Sequence, residues 1–167
     1  LSLLISKLSD FGSQVADNFS AAQLNHNTLR QLLPEMRMRL RAGKNNPLQQ
    51  MMVMAGYGFD SLYAQATTSP QSGINATASM ANFKTGAVLL ENSQLAIRQD
   101  SDALRLNVLI KNESKKNPNR FTATLDGELL SDGFSVLANF KDDKGREGIN
   151  IGTRATLDGR GGMTFSL

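Results

Sequence analysis

The chain has 167 residues, 40% of them hydrophobic, and its 18 Lys and Arg against 15 Asp and Glu give a net charge of +3. That charge is too small and too scattered to favour a nucleic-acid partner, and the absence of Cys excludes a disulfide framework and a thiolate metal site. No apolar run reaches the roughly twenty residues that a membrane-spanning helix needs. We expect a segment of a longer protein, because the chain starts without Met and stops inside an alternating stretch.

The N-terminal part mixes strand and helix patterns. Alternating apolar residues over 1–5 favour a strand there, although residues 4–15 also fit one face of a helix. Ser20 is suited to cap a helix, and Pro34 ends the apolar periodicity that follows it. The pattern therefore predicts a helix near residues 20–33.

A strand and a second helix follow. Apolar residues and arginines alternate over 36–41, which is typical of a strand with one face in water. Asn46 and Pro47 are preferred at a helix start and Gly56 at a helix end, so we predict a helix near 47–55. We expect its apolar side to be buried, formed by Leu48, Met51, Met52 and Ala55. The alternative is that its methionines form a pliable surface for variable apolar ligands.

The chain from residue 57 to the end is predicted to be a sheet. Strands are indicated over 59–67, 74–80 and 88–97, and from residue 102 onward the alternation is nearly unbroken between turn signals rich in Gly, Asn and Asp. One parity is apolar, and we predict that it lines a groove: Leu95, Ile97, Leu104, Leu106, Val108, Ile110, Phe121, Ala123, Leu125, Phe134, Val136, Ala138, Ile149, Ile151, Met163 and Phe165. The other parity should face water, as at Arg98, Arg105, Thr122, Asp126 and Asn150.

Residues that could carry catalysis are few. His26 is the only histidine, and its place in a polar Asn-His-Asn run predicts a surface position. The Asp-Asp-Lys-Gly run at 142–145 lacks the alternating acids of a calcium loop, so we predict a hairpin turn. Nucleophile-elbow, phosphate-loop and zinc spacings are absent from the sequence. We therefore predict no catalytic residue, no metal and no cofactor, and a protein that is not an enzyme.

A sheet with one apolar face has two uses. In a self-filled β-sandwich the apolar faces meet across a dry core, and the protein acts as a structural or adhesion module. In a sheet curled around an open groove, the apolar face is free for a greasy ligand. A strand of eight residues spans about 26 Å, and half the hydrocarbon of a bilayer is about 15 Å thick, so a curled sheet can enclose acyl chains.

Several segments resemble a known family. They are Leu32-Leu33-Pro34, the run 41–48 that leads into the second helix, the strand and turn residues 59–62 and 68–76, and Ile97-Arg98-Gln99-Asp100. From about residue 20 onward the chain resembles the periplasmic part of the translocation-and-assembly-module B (TamB) family, in the form carried by Bacteroidota. The resemblance rests on turns and caps and carries no catalytic signature.

This resemblance implies a place among the AsmA-like, bridge-like lipid-transfer proteins. It implies a curled, taco-like β-sheet with an apolar groove, an inner-membrane anchor elsewhere in the full protein, a periplasmic location and an Omp85-type barrel partner in the outer membrane. The implied activity is phospholipid movement between the two membranes, assistance to outer-membrane protein assembly, or both. Phospholipid acyl chains are then the ligand of the groove.

The expected organisation has two parts. Residues 1–56 form a strand-and-helix segment, and residues 57–167 form the groove of a mainly β fold. The two helices depart from a plain groove, and we expect them to plug, cap or buttress one side of it. The unpaired sheet edges of such a segment favour an edge-to-edge dimer.

Overall fold

The computed structural model describes Ser13 and residues 25–114, 120–157 and 162–166. Two helices lie in these ranges, α1 (His26–Gln31) and α2 (Pro47–Met54). The strands are β1 (Met36–Gly43), β2 (Tyr57–Gly58), β3 (Ser61–Ser69), β4 (Gly73–Thr85), β5 (Val88–Gln99), β6 (Ala103–Asn112), β7 (Phe121–Leu130), β8 (Gly133–Asp142), β9 (Glu147–Leu157) and β10 (Met163–Ser166).

The ten described strands form one antiparallel sheet in the order β1-β3-β4-β5-β6-β7-β8-β9-β10. Strand β1 pairs with β3, and from β3 to β10 each strand pairs with the next one along the chain. The two-residue strand β2 lies off this path and pairs with the end of β4. The sheet is curled but not closed, since β1 and β10 are its two edges. The predicted fold, a mainly β, open sheet of amphipathic strands with short helices, is confirmed.

Tight hairpins set where the strands begin and end. Asp142 caps the predicted turn between β8 and β9, where one carboxylate oxygen accepts the backbone N–H groups of Lys144 and Arg146, both at 2.9 Å. At the start of β8, a Cβ on Gly133 would lie 1.9 Å from the carbonyl oxygen of Ala155. Because only glycine fits there, β8 and β9 can pair closely from the first residue of β8.

Both helices are capped by asparagine. Asn25 accepts the N–H of Thr28 at 3.0 Å to begin α1, and Asn46 accepts the N–H of Leu48 at 3.0 Å to begin α2. The helix predicted near 20–33 is therefore present as a short helix within that range, and the helix near 47–55 has the predicted start. The predicted start at Ser20 and the strand favoured over residues 1–17 lie outside the described residues, apart from Ser13, which is helical.

The predicted buried side of α2 is wrong. No residue of α2 is buried, and Met51, Val53 and Met54 are 54% to 88% exposed. Among the described residues, α2 lies mainly against β1 and β2 at the margin of the sheet. Helical periodicity indicates an apolar side but does not supply the surface that would cover it.

The surface position predicted for His26 is also wrong. His26 is 2% exposed and Leu29, three residues further along α1, is 1% exposed. Residues three apart share a side of a helix, so this side of α1 faces the protein. Five other apolar residues among the described ones are buried: Leu33, Ala42, Phe59, Ala103 and Ala155.

Helix α1 crosses one end of the sheet. The backbone carbonyls of Leu129 and Leu130, at the end of β7, lie close enough to His26 to raise the pKa of its ring. Farther along, the hydroxyl of Thr68 in β3 donates to the carbonyl oxygen of Pro34 at 2.6 Å. The chain from α1 to β1 therefore runs from the end of β7 to the end of β3. No described helix has the length and apolar character needed to cross a membrane.

Candidate functional site: an exposed apolar sheet face

The register of the strands decides which residues share a face of the sheet. Residues directly opposite one another in an antiparallel pair point to the same side. One row across the sheet consists of Met38, Ala66, Ala76, Ile97, Leu106, Gly127, Val136 and Thr153, each paired with the next. We call the side that contains this row the apolar face.

All sixteen predicted groove residues lie on the apolar face. Leu95 is opposite Val108, which is opposite Leu125, and the same relation links the predicted residues of β8 and β9. Met163 and Phe165 of β10 continue the face beside Leu157 and Ala155. The register thus brings the sixteen residues together on one side; that they line a lipid groove stays a prediction.

The apolar face is wider than the predicted site. Strands β1, β3 and β4 extend it with Ala42 and with residues that were expected to alternate in strands but were not assigned to the groove: Met36, Met38, Leu40, Leu62, Ala64, Ala66, Ile74, Ala76, Ala78 and Met80. Their alternation was visible in the sequence. The pairing of β1 with β3 was not, because it joins segments separated by a helix and a short strand.

This face is not covered. None of the sixteen predicted residues is buried, and Ile149, Ile151 and Phe165 are 50%, 59% and 63% exposed. The described residues form one sheet, and no second sheet packs on it. A contiguous apolar surface of this kind marks a binding surface in soluble proteins.

A glycine among larger side chains creates a hollow on the apolar face. Gly127 separates Leu106 from Val136, and a Cβ at this position would meet Leu106 at 3.5 Å. A hollow of about 310 Å³ lies around it, lined on the apolar side by Ile97, Leu104, Leu106, Leu129, Phe134 and Val136. The small residue therefore leaves room for a ligand group among larger aliphatic side chains.

The two ends of the apolar face differ. At one end α1 and the segment after it cross the strands near Thr68 and Leu129. At the other end Phe121 and Phe140 stack with ring centroids 5.2 Å apart. Helix α2 lies at this same end of the strands, against β1 and β2, whereas α1 closes part of the opposite end.

The opposite face of the sheet carries paired polar side chains. The Arg105 guanidinium contacts the carboxylate of Asp100 and donates to that of Glu128 at 2.7 Å. Both carboxylates raise the pKa of Arg105, and Glu128 has the larger effect. Backbone N–H groups of Asp102 and Ala103, together with Arg105, lower the pKa of the Asp100 carboxyl. Asn107 donates to Asp126 at 2.5 Å. Arg105 and Glu128, like Asn107 and Asp126, are directly opposite each other in β6 and β7, where such polar pairs favour strand pairing.

Two larger hollows lie on this polar face. One, of about 510 Å³, is lined by Arg105, Asn107, Asp126, Glu128, Leu137 and Arg154 among others. The other, of about 410 Å³, is lined by residues such as Tyr63, Gln94, Leu109 and Thr124. Both hollows are open to solvent. The lining of the first contains side chains of both charges, and that of the second contains amide side chains. The sheet therefore has hollows on both sides, and the hollow around Gly127 is the one of these three that lies among the predicted groove residues.

The described part of the chain contains no cluster of three or more His, Asp or Glu side chains that could hold a metal ion. Among the described residues, neither ring nitrogen of His26 has a hydrogen-bond partner, and burial lowers the pKa of this side chain. The most extensive feature of the structure is thus a surface and not a reactive cluster.

A scan of protein-family models finds no match to this chain, and searches of curated proteins and of solved structures find none either. The resemblance to the TamB family therefore stays a prediction.

Proposed function

We propose that the apolar face binds phospholipid acyl chains and that the chain is the periplasmic segment of a TamB-like protein. The observation that carries the proposal is the exposed apolar face itself, which runs across the nine strands of the main path and has no covering layer among the described residues. A protein with a dry core hides such residues. Here they remain half or more exposed at several positions.

The dimensions of the apolar face suit acyl chains. Nine strands about 4.8 Å apart span roughly 38 Å, and a strand of ten residues is about 33 Å long. Both lengths exceed the roughly 15 Å of half a bilayer's hydrocarbon. Each methylene moved from water onto apolar surface contributes about 0.8 kcal/mol when it is fully buried. An open face provides part of that energy along a continuous path, so movement along it is passive.

The cellular setting of the proposal follows from the family resemblance. The full protein is anchored in the inner membrane of a Gram-negative bacterium, and this segment lies in the periplasm. An Omp85-type outer-membrane barrel binds other parts of the full chain. The apolar face then serves phospholipid transport between the membranes, outer-membrane protein assembly, or both. A self-filled sandwich finds no support in the described residues, which form one sheet.

Val108→Arg tests the apolar face, with Asn107→Arg as its matched control. The two residues are neighbours in β6 and lie on opposite faces. We expect Val108→Arg to weaken binding of a fluorescent phosphatidylethanolamine by about tenfold or more, because a charge then interrupts the apolar path. Asn107→Arg should bind as the wild type does. Lipid extraction and mass spectrometry of the purified wild-type protein should recover phospholipid.

The same pair of variants separates a surface from a core. Because Val108 is partly exposed, its arginine can reach water, and we expect both variants to melt within a few degrees of the wild type. Unfolding of Val108→Arg alone would show that β6 packs in a dry core. Equal lipid binding by both variants, or no lipid binding by the wild type, would refute the proposed function.

A further inference from the structure

The outer edge of β1 carries a stripe of arginines. Along its eight residues, β1 pairs with β3 on one side, and no described strand pairs with its other side. In an edge strand every second residue points its backbone N–H and C=O outward. This edge is therefore a template on which a further strand can form main-chain hydrogen bonds.

The side chains of β1 give that edge a specific chemistry. Arg37, Arg39 and Arg41 lie on the polar face and are exposed, while Met38 and Leu40 on the apolar face are 50% and 39% exposed. An incoming strand thus meets cations on one side and apolar side chains on the other, at alternate positions.

The three arginines lack carboxylate partners among the described residues. The residues opposite them in β3 are Thr67, Gln65 and Tyr63, none of which is acidic. The ion pairs of the described chain involve other basic residues, namely Lys44, Arg105, Lys111, Arg120, Lys141 and Arg146. The Arg41 guanidinium lies over the ring of Tyr63, 5.3 Å from the ring centroid. Three positive charges at alternate positions are therefore left for a partner.

A second copy of the chain does not complement this edge. Antiparallel pairing of two β1 strands sets arginines opposite arginines on the same face, which is destabilising. Parallel pairing turns one copy over and places the arginines of one beside Met38 and Leu40 of the other. The free part of β9 near the other edge presents Asn150 and Gly152 on its polar face, and its one carboxylate, Glu147, is already paired with Lys141 at 3.5 Å.

We propose that the free edge of β1 binds an extended partner segment in which acidic and apolar residues alternate. The segment adds a strand to the sheet, its carboxylates meet Arg37, Arg39 and Arg41, and its apolar residues extend the apolar face beside Met38 and Leu40. Main-chain hydrogen bonds provide affinity, and the charge pattern selects the partner. The proposal rests on strand pairing and charge and is independent of lipid binding.

The test uses a synthetic peptide on the whole chain. The probe is fluorescent acetyl-Ser-Val-Glu-Val-Glu-Val-Glu-Val-Ser-amide, and its binding is followed by fluorescence anisotropy at several salt concentrations. We expect it to bind at least about tenfold more tightly than the peptide in which lysines replace the glutamates, and to lose affinity as salt rises. Backbone amide signals of β1 should shift in NMR spectra of the complex.

Charge reversal gives the matched variants. Combined Arg37→Glu, Arg39→Glu and Arg41→Glu substitutions should abolish binding of the glutamate peptide and create binding of the lysine peptide. Arg98→Glu is the control, because Arg98 is exposed on the same face but lies in the interior strand β5. It should bind the glutamate peptide as the wild type does.

Three peptide-binding results would overturn the proposal. One is failure of the glutamate peptide to bind, or equal binding of the lysine peptide. Another is an equal effect of Arg98→Glu, which would show attraction to the whole face. The last is full binding of a peptide N-methylated at every residue between its terminal serines, since such a peptide has no N–H groups there to pair with a strand. Dimerisation of the wild-type chain through β1 would also refute it.

Discussion

Where the regular pairing of β5 and β6 stops, the side chain of Asn112 makes the hydrogen bonds that a paired backbone would otherwise make. Its side chain is 1% exposed, accepts the N–H of Glu91 at 2.7 Å and donates to the carbonyl oxygen of Leu89 at 2.8 Å. Nearby, Asn82 of β4 has a φ of 52° and interrupts the pairing of β4 with β5. One side chain therefore satisfies two backbone groups at an irregular point of the sheet.

Asn112→Leu should destabilise the protein by about 2–4 kcal/mol, because a side chain of similar size leaves a buried N–H and a buried C=O unpaired. Asn107→Leu is the control: Asn107 is exposed, so its loss should change the free energy of unfolding by no more than about 1 kcal/mol. Urea denaturation of both variants measures the difference. Similar effects of the two substitutions would contradict this account of Asn112.

At the scale of elements, the two helices differ in what they cover. Helix α1 turns His26 and Leu29 into the protein at one end of the sheet, whereas no residue of α2 is buried. Substitutions on the exposed side of α2 should therefore leave stability nearly unchanged. In contrast, α1 is attached through the buried side chains of His26 and Leu29.

Burial lowers the pKa of His26, and this outweighs the raising effects of the Leu130 and Leu129 carbonyls and of Asp100 and Asp102. The unfolded chain, with an ordinary pKa of 6.5 for this group, then binds a proton more readily than the folded chain. The contribution of His26 to the free energy of unfolding is therefore complete above pH 6.5 and is lost as the pH falls below this value.

We expect the melting temperature of the wild type to decrease between pH 7.5 and pH 5.5, and that of His26→Phe to change less. Since His26 is the only histidine, no other side chain with an ordinary pKa titrates in this window. The lowered pKa of Asp100 acts in a separate window, where stability falls as the pH drops below 3.8. Equal pH dependence of the two proteins over the upper window would exclude His26 as the cause.

At the scale of the molecule, stability comes from a single layer of strands. Few described apolar residues are buried, so hydrogen-bonded pairing and side-chain contacts across strands carry more of the stability than a central core does. Strand β7 pairs over ten residues on each side, and β6 pairs over ten residues with β7 and eight with β5, whereas β10 pairs over four residues at an edge. Stability is therefore uneven across the sheet.

Hydrogen exchange should follow this gradient. We expect the amides of β6 and β7 to exchange most slowly and those of β10 most rapidly, with the alternate outward amides of β1 also exchanging fast. Mass spectrometry or NMR of the exchanging protein measures the order. Protection of β10 equal to that of β6 would indicate a covering layer, which the apolar face lacks in the described residues.

Alternation along each strand was sufficient to predict the mainly β, one-sided sheet and the shared parity of the sixteen candidate residues. This succeeds because side-chain direction in a strand depends only on position along it. The caps at Asn46 and the turn at 142–145 were predictable for the same reason, since they involve residues only a few positions apart.

Tertiary structure alone decided the features that join distant segments. The pairing of β1 with β3 widens the apolar face. The packing of α1 at the strand ends buries His26, whereas the position of α2 at the sheet margin leaves its methionines exposed. Whether an apolar side is covered depends on what the rest of the chain brings to it. A periodic sequence can specify which way a side chain points, but only the fold determines what it meets.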